Sequence, residues 1–343
     1  MEGNMARSIR LFLIRHGETV DNIAQVYAGS RDSALTNHGY QQATRLGLYL
    51  QSLGLTFTHL FSSHLQRAVK TASKIREAQL TPVGDNGTVR AAPKVVQLPV
   101  LAEKDFGSME GKQPNSRPFE TGTPGKDHRR QENKRTAGFA EAESKESMAR
   151  RADAFIEEYL LPLFDDSSCN FTPVIAIVSH GIFLSTLWKR ILLRLPRRRV
   201  CLSHGIEGAV RQSLEHLGGW SNTGYLELYF MRTEAEYHKS IMEATMTPVT
   251  TFSELLTGTL TAPQNLRNVH IPKSRVEGTA QLVIGAPQAS KPRGLQGWST
   301  FILRVNSKDH LQGLKRTRGG VGSLRYDASQ RRIDTFFKRR KVE

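Results

Sequence analysis

Two histidines close apolar runs in the same way. Leu11-Phe12-Leu13-Ile14 leads into Arg15-His16-Gly17, and Val174-Ile175-Ala176-Ile177-Val178 leads into Ser179-His180-Gly181. Each run reads as a buried strand whose end delivers an imidazole to the edge of a sheet, in the first case beside a guanidinium. The carboxyl end of such a strand is where chemistry is usually done in α/β proteins. Taken singly, either histidine reads as a hydrogen-bonded structural residue. Two such ends in one chain change that, because neighbouring strands would bring both imidazoles to one edge.

The rest of the chain supplies elements to hold them. Thr36 stands as an N-cap before Tyr40, Ala43, Leu46, Leu50 and Leu53 at helical spacing, closed by Gly54. A strand-like THLFSS follows from Thr58, then HLQRAVKTASKIREAQ reads as a helix with Leu65, Ala68, Val69, Ala72 and Ile75 inward. Thr81 to Pro93 is a loop, Lys94 to Leu101 is strand-like, and Glu103 to Gly111 is rich in turn residues. From Lys112 to Thr136 the chain is polar and basic, an exposed excursion without a core of its own. Helical spacing returns with Met148, Ala152, Phe155, Ile156 and Tyr159 and stops near Pro162. A helix starts after His180 with Ile182, Phe183, Leu187, Ile191 and Leu192 on its apolar stripe, and Asn222 to Met231 closes the regular part as a strand.

This alternation predicts an α/β fold over residues 9–232, a three-layer sandwich whose central, mostly parallel sheet is flanked by helices. Residues 233–343 hold a short apolar patch at Phe301 to Val305 but are otherwise rich in Gly, Pro, Ser, Lys and Arg, and are expected to be a basic, mostly disordered tail.

With 343 residues the chain has room for one good-sized core and an appendage. Its 48 Lys and Arg against 32 Asp and Glu give a net charge of +16, which points to an acidic partner or substrate. Residues 264–343 carry 17 basic and 5 acidic side chains, a difference of +12, which leaves +4 for everything before them. Cys169 and Cys201 offer neither a disulfide framework nor metal-ligand spacing, so a reducing intracellular compartment is expected. MEGNMARSIR lacks the apolar core of a signal peptide, and runs such as Val174 to Val178 are far too short to span a bilayer, so no membrane partner is expected.

Four motifs, RHGETVDN, SSHLQRAVKTA, LAEKDFGSMEG and VSHG, occur in that order and together resemble the histidine phosphatase superfamily, which contains the cofactor-dependent phosphoglycerate mutases and many phosphatases. The resemblance covers Ile9 to Met231. It implies that His16 is the nucleophile that holds the phosphoryl group as a phosphohistidine, with its other ring nitrogen held as a donor by a nearby backbone carbonyl. Arg15, Arg67 and His180 would surround the phosphoryl oxygens, with Asn22 adding an amide donor and Gly181 lining the phosphate site. Glu103 would protonate the leaving oxygen and then, as carboxylate, activate the water that releases phosphate. No metal or other cofactor is called for, because arginines and histidines take the charge-neutralising role.

The mutase branch carries a tryptophan just before the asparagine of the first motif, whereas Asp21 precedes Asn22 here; a phosphatase is favoured over a mutase. Asp105 and Glu110 read as structural or binding carboxylates with no assigned role, and His38, His59 and His64 as surface or capping residues. Lys126, Arg129, Arg130, Lys134 and Arg135 lie in the excursion where members of the family shape the substrate pocket.

At the C-terminus, Gln330, Ile333, Phe336 and Phe337 stand at the spacing Q-x-x-I-x-x-F-F, which resembles the sliding-clamp (PCNA) interaction motif. Ile333, Phe336 and Phe337 would share one face of a tight helical turn and form a hydrophobic plug. Lys338, Arg339, Arg340 and Lys341, with Lys315, Arg316 and Arg318 upstream, read as a nuclear localisation signal or a non-specific nucleic-acid contact. The expectation is a nuclear phosphatase acting on a phosphorylated small molecule or phosphoprotein. The alternative is a non-catalytic interaction protein, clamp- or transcription-associated, that keeps the phosphatase fold as a scaffold.

Overall fold

The computed structural model describes residues 7–80, 92–114, 139–166, 171–203, 213–232 and 294–329. The elements are β1 (Ser8–Arg15), α1 (Val20–Ala24), α2 (Asn37–Ser52), β2 (His59–Ser63), α3 (Gln66–Leu80), β3 (Val95–Leu98), α4 (Lys145–Phe155), α5 (Leu161–Asp165), β4 (Val174–Ser179), α6 (Gly181–Leu192), β5 (Val200–Leu202), β6 (Tyr225–Arg232) and β7 (Trp298–Ser307). A π-helical turn, Ile156–Leu160, joins α4 to α5. Three-residue 3₁₀ turns fill several of the connections, one of them Pro99–Leu101 directly after β3.

Among the described residues the strands form one sheet in the order β3-β2-β4-β1-β6-β7-β5. β3, β2, β4 and β1 run parallel. β6 returns antiparallel to β1, β7 antiparallel to β6, and β5 lies parallel to β7. The pairing of Arg15 with Ser179 sets the end of β1 beside the end of β4.

The unbroken apolar runs of β1 and β4 are explained by burial on both faces. Leu11 and Leu13 point into one core with Ile175, Ile177, Phe155, Phe183 and Trp188. Phe12 and Ile14 point into the other, with Ala176, Val178, Leu46, Leu50, Ala72 and Ile75. A side chain of that size contributes about 2 kcal/mol when fully buried, so the two strands that lead into the histidines are anchored on both faces. The expected three-layer α/β sandwich is the architecture observed. Thr36 caps α2 as expected, its hydroxyl accepting from the Gly39 N–H.

The boundary expected at residue 232 is corrected. Trp298–Ser307 is a full strand inside the sheet, and residues 294–329 belong to the same compact unit as residues 7–232. Its Trp298, Ser299, Thr300, Phe301 and Ile302 are buried, Trp298 packing edge-on against Phe164 at 5.0 Å. The polar and basic surroundings of this strand hid it, because its stability comes from pairing with β6 some seventy residues earlier. Arg316 is likewise removed from the free basic cluster: its guanidinium pairs with the carboxylate of Glu18. The basic excursion, apart from its first residues, the stretch 233–293 and the motif from Gln330 to Phe337 lie outside the described residues.

Candidate active site

All four sequence motifs meet at the carboxyl edge of the parallel strands. β1 ends at Arg15 with His16 next, β4 ends before His180, β2 leads into α3 with Arg67, and β3 passes through its 3₁₀ turn to Glu103. His16 N–H donates to Ser179 O at 3.0 Å, which extends the β1–β4 ladder by one residue and holds the two imidazoles 5.1 Å apart between centroids. Both are almost completely buried.

The hydrogen bonds define the tautomers. His16 Nδ1 lies 2.7 Å from Gly17 O, and a carbonyl only accepts, so Nδ1 carries the proton and Nε2 the lone pair. Arg67 Nε donates to His180 Nδ1 at 3.1 Å, so His180 must carry its proton on Nε2, which is buried without a partner among the described residues. One imidazole thus offers a lone pair and its neighbour an N–H. Burial, and then the positive charge of Arg67 and Arg15, pushes the His16 imidazolium well below the ordinary histidine range; burial and Arg67 do the same to His180.

Arg67 keeps few donors free. Its Nη1 donates to Arg31 O at 2.7 Å and its Nη2 to Ala28 O and Gly29 O at 2.9 and 2.8 Å. Most of its donors are spent on His180 and the loop after α1, which leaves one N–H on Nη1. Burial lowers its guanidinium to about 10, against nearby Glu103 and Asp32. Arg15 is freer: Nη1 donates to Trp220 O at 2.6 Å, and its buried Nε has no partner among the described residues.

Glu103 sits at the N-terminus of α6. Its Oε1 accepts from the backbone N–H of Phe183 at 3.0 Å and its Oε2 from that of Ile182 at 3.1 Å. Those amides would otherwise be open to a phosphate next to Gly181, which itself lies against the Arg15 side chain. Asn22 is the third residue of α1, where its Oδ1 accepts from Thr19 N–H at 3.2 Å and from Asn222 Nδ2 at 3.1 Å. With the oxygen occupied, its Nδ2 is the end left over for a ligand.

Sequence reading missed the residues that hold these side chains in place. Asn222, read only as the start of a strand, donates to His16 O and to Asn22. Thr71 accepts from Gly17 N–H. Arg151, on the polar face of α4, donates to Val100 O, Ala102 O and Glu103 O and pairs with Glu143, fixing the turn that carries Glu103. The Asn-Thr-Gly before β6 is a turn signal that could have marked Asn222; nothing local distinguishes Arg151. Asp105 and Glu110 prove structural: Asp105 accepts from Gly107 N–H, and Glu110 from the N–H groups of Gly29, Ser30 and Phe106.

The carboxyl edge of the parallel strands thus gathers two buried imidazoles and two guanidiniums in an α/β fold, a set of donors whose charge suits an anionic group. Residues 11–205 match the histidine phosphatase superfamily (branch 1), and the chain belongs to that family. A broad-specificity phosphatase of Saccharomyces cerevisiae is 42% identical over 67 residues, covering 20% of this chain and 29% of that protein. A Schizosaccharomyces pombe protein that bears the name probable phosphatase is 32% identical over 190 residues, 53% of this chain and 56% of that one. A Yersinia enterocolitica protein named as a probable phosphoglycerate mutase is 32% identical over 187 residues, 54% and 75%. The chain therefore spans little more than half the length of the yeast relatives at most. Among solved structures, the alpha-ribazole phosphatase of Shigella flexneri is 23% identical with a TM-score of 0.42, covering 64% of this chain and 90% of that one.

Proposed function

We propose that the chain is a phosphatase that hydrolyses a phosphomonoester through a phosphohistidine on His16. The observation that carries this reading is the bond from His16 Nδ1 to Gly17 O, which leaves Nε2 unprotonated beside the Nε2–H of His180. Nε2 of His16 attacks phosphorus in line, forming the P–N bond as the P–O bond to the leaving group breaks. Glu103 gives its proton to the departing oxygen. A water then attacks the phosphohistidine, surrenders a proton to Glu103, and releases phosphate with His16 restored. Arg15, the remaining Nη1 hydrogen of Arg67, the Nε2–H of His180 and the Nδ2 of Asn22 spread the charge of the transferring phosphoryl group.

Hydrolysis of p-nitrophenyl phosphate by the purified chain tests the reading. Activity that His16→Ala abolishes is expected; activity that survives His16→Ala removes the nucleophile assignment. A wild-type chain with no activity on any of a panel of phosphorylated metabolites and phosphopeptides favours the scaffold alternative.

The C-terminal residues suggest where the protein works. Gln330, Ile333, Phe336 and Phe337 support docking on the sliding clamp, and the basic run from Lys338 to Lys341 supports a nuclear location and contact with nucleic acid. A peptide of residues 330–343 titrated into the clamp by calorimetry is expected to bind, and replacing both Phe336 and Phe337 by alanine to abolish it.

A further inference from the structure

The end of β7 and the turn after it, far beyond the residues matched to the family, pass behind the site. Residues Ser221 to Gly224, just before β6, form the floor under His16. Thr223 N–H donates to Arg15 O and His16 O at 3.1 and 3.2 Å, and Gly224 O accepts from Arg15 N–H at 3.1 Å. Two residues of the C-terminal segment hold this floor. Asn306 Oδ1 accepts from Ser221 N–H at 2.8 Å, and a Cβ at Gly224 would stand 2.2 Å from that oxygen. His310, buried, places Nε2 2.8 Å from the Thr223 hydroxyl.

The proton in this chain of bonds has one consistent placement. The Thr223 hydroxyl donates to Asn222 O at 2.7 Å, so its single hydrogen is committed and His310 Nε2–H is the donor to it. Thr223 has φ +57°, a left-handed conformation that a β-branched residue avoids and that persists only where its surroundings over-determine it. That conformation sits beside Asn222, whose Nδ2 reaches both His16 O at 3.2 Å and Asn22 Oδ1 at 3.1 Å.

We infer that His310 is a positioning residue for the phosphoryl site: through Thr223 it holds Asn222, and Asn222 occupies the oxygen of Asn22 so that the Asn22 Nδ2 hydrogens face the ligand. The inference rests on the phosphoryl-binding reading of the site. A strand and turn that are not part of the matched family region thereby complete the site from behind.

The test uses the full chain, with steady-state hydrolysis of p-nitrophenyl phosphate and calorimetric binding of orthovanadate. His310→Ala and Thr223→Val are expected to lower kcat about tenfold with KM within about twofold, and to weaken orthovanadate by a similar factor. His310→Gln, which returns a donor at the same reach, and Thr223→Ser are expected to recover most of the loss. In an Asn222→Ala background His310→Ala should change nothing further. A folded His310→Ala chain with unchanged kcat and vanadate affinity overturns the inference, as does a loss that adds in full to that of Asn222→Ala. Should His310→Ala fail to fold, the Thr223 pair makes the same comparison. A wild type that binds orthovanadate but hydrolyses neither the ester nor any of the panel of phosphorylated metabolites and phosphopeptides removes the phosphatase reading, and the vanadate comparison still decides the role of His310; a wild type that does none of these overturns both.

Discussion

Arg316 Nη1 lies 2.7 Å from Oε1 of Glu18 and its Nη2 bonds Oε2, so a guanidinium 298 positions along the chain grips the residue two places after His16. Glu18 also accepts from the Thr36 hydroxyl at 2.8 Å, and Tyr326 stacks on Tyr40 at 3.6 Å. The C-terminal segment is therefore fastened to the loop that follows His16 and to the first turn of α2.

Arg316→Ala should destabilise the fold by about 1–2 kcal/mol, chiefly by leaving the mostly buried Glu18 carboxylate short of a donor; the Coulombic share is small because Arg316 is itself partly exposed. Burial alone would raise the Glu18 carboxyl, but Arg316 and Thr36 outweigh it and hold it below its ordinary value. A depressed carboxylate stabilises above its unfolded range and loses that contribution as pH falls. Urea midpoints of the two chains should therefore differ at pH 7 and draw together as pH falls below the ordinary carboxylate range.

Gly39 and Gly17 allow the loop after β1 to lie directly on α2. A Cβ at Gly39 would meet Glu18 O at 2.0 Å and one at Gly17 would meet Gly39 O at 2.6 Å, both backbone atoms. Alanine in a helix normally gains about 1 kcal/mol over glycine, yet here overlap wins. Gly39→Ala is expected to cost about 2–4 kcal/mol and more than Gly17→Ala, measured by denaturant unfolding.

Arg67→Lys should fail to substitute. An ammonium cannot reach His180 Nδ1 and the carbonyls of Ala28, Gly29 and Arg31 together, as the planar fork does. Several buried acceptors would lose their donor, at about 1–3 kcal/mol each before rearrangement. Both a lowered Tm and a kcat loss of about a hundredfold are expected; near-wild-type activity would mean the His180 tautomer does not depend on Arg67.

Acid should unfold the protein early. Burial lowers His310 to about 4, with Asp309 opposing, and lowers His16 and His180 as well. Each then binds a proton more readily in the unfolded chain, so stability rises with pH through this interval and drains away as pH falls below 6.5. His310 alone accounts for up to about 3 kcal/mol by pH 4. Urea titrations across pH 7 to 4 should show this slope, and His310→Gln should make it shallower, leaving the share of His16 and His180.

Much of the site was legible because its motifs are local: an apolar strand followed at once by a histidine and a glycine needs only a few consecutive residues to be recognised. Thr36, α2, α3, β4 and α6 were equally readable, since capping and periodicity are properties of neighbouring residues. The expected strand from Lys94 to Leu101 is shorter, Val95–Leu98, because Pro99 turns the chain into a 3₁₀ turn.

By itself, then, the sequence determined which residues meet at the candidate site and the order in which strands deliver them. Only the tertiary structure decided how each is held: which nitrogen of His16 and of His180 bears the proton, that Arg67 spends most of its donors on backbone carbonyls, and that β7, Asn306, His310 and Arg316 close the fold behind the site. Hydrogen bonds and strand pairs between residues far apart along the chain leave no trace in local composition, and a strand set in a basic, glycine-rich stretch becomes visible only against the strand it pairs with.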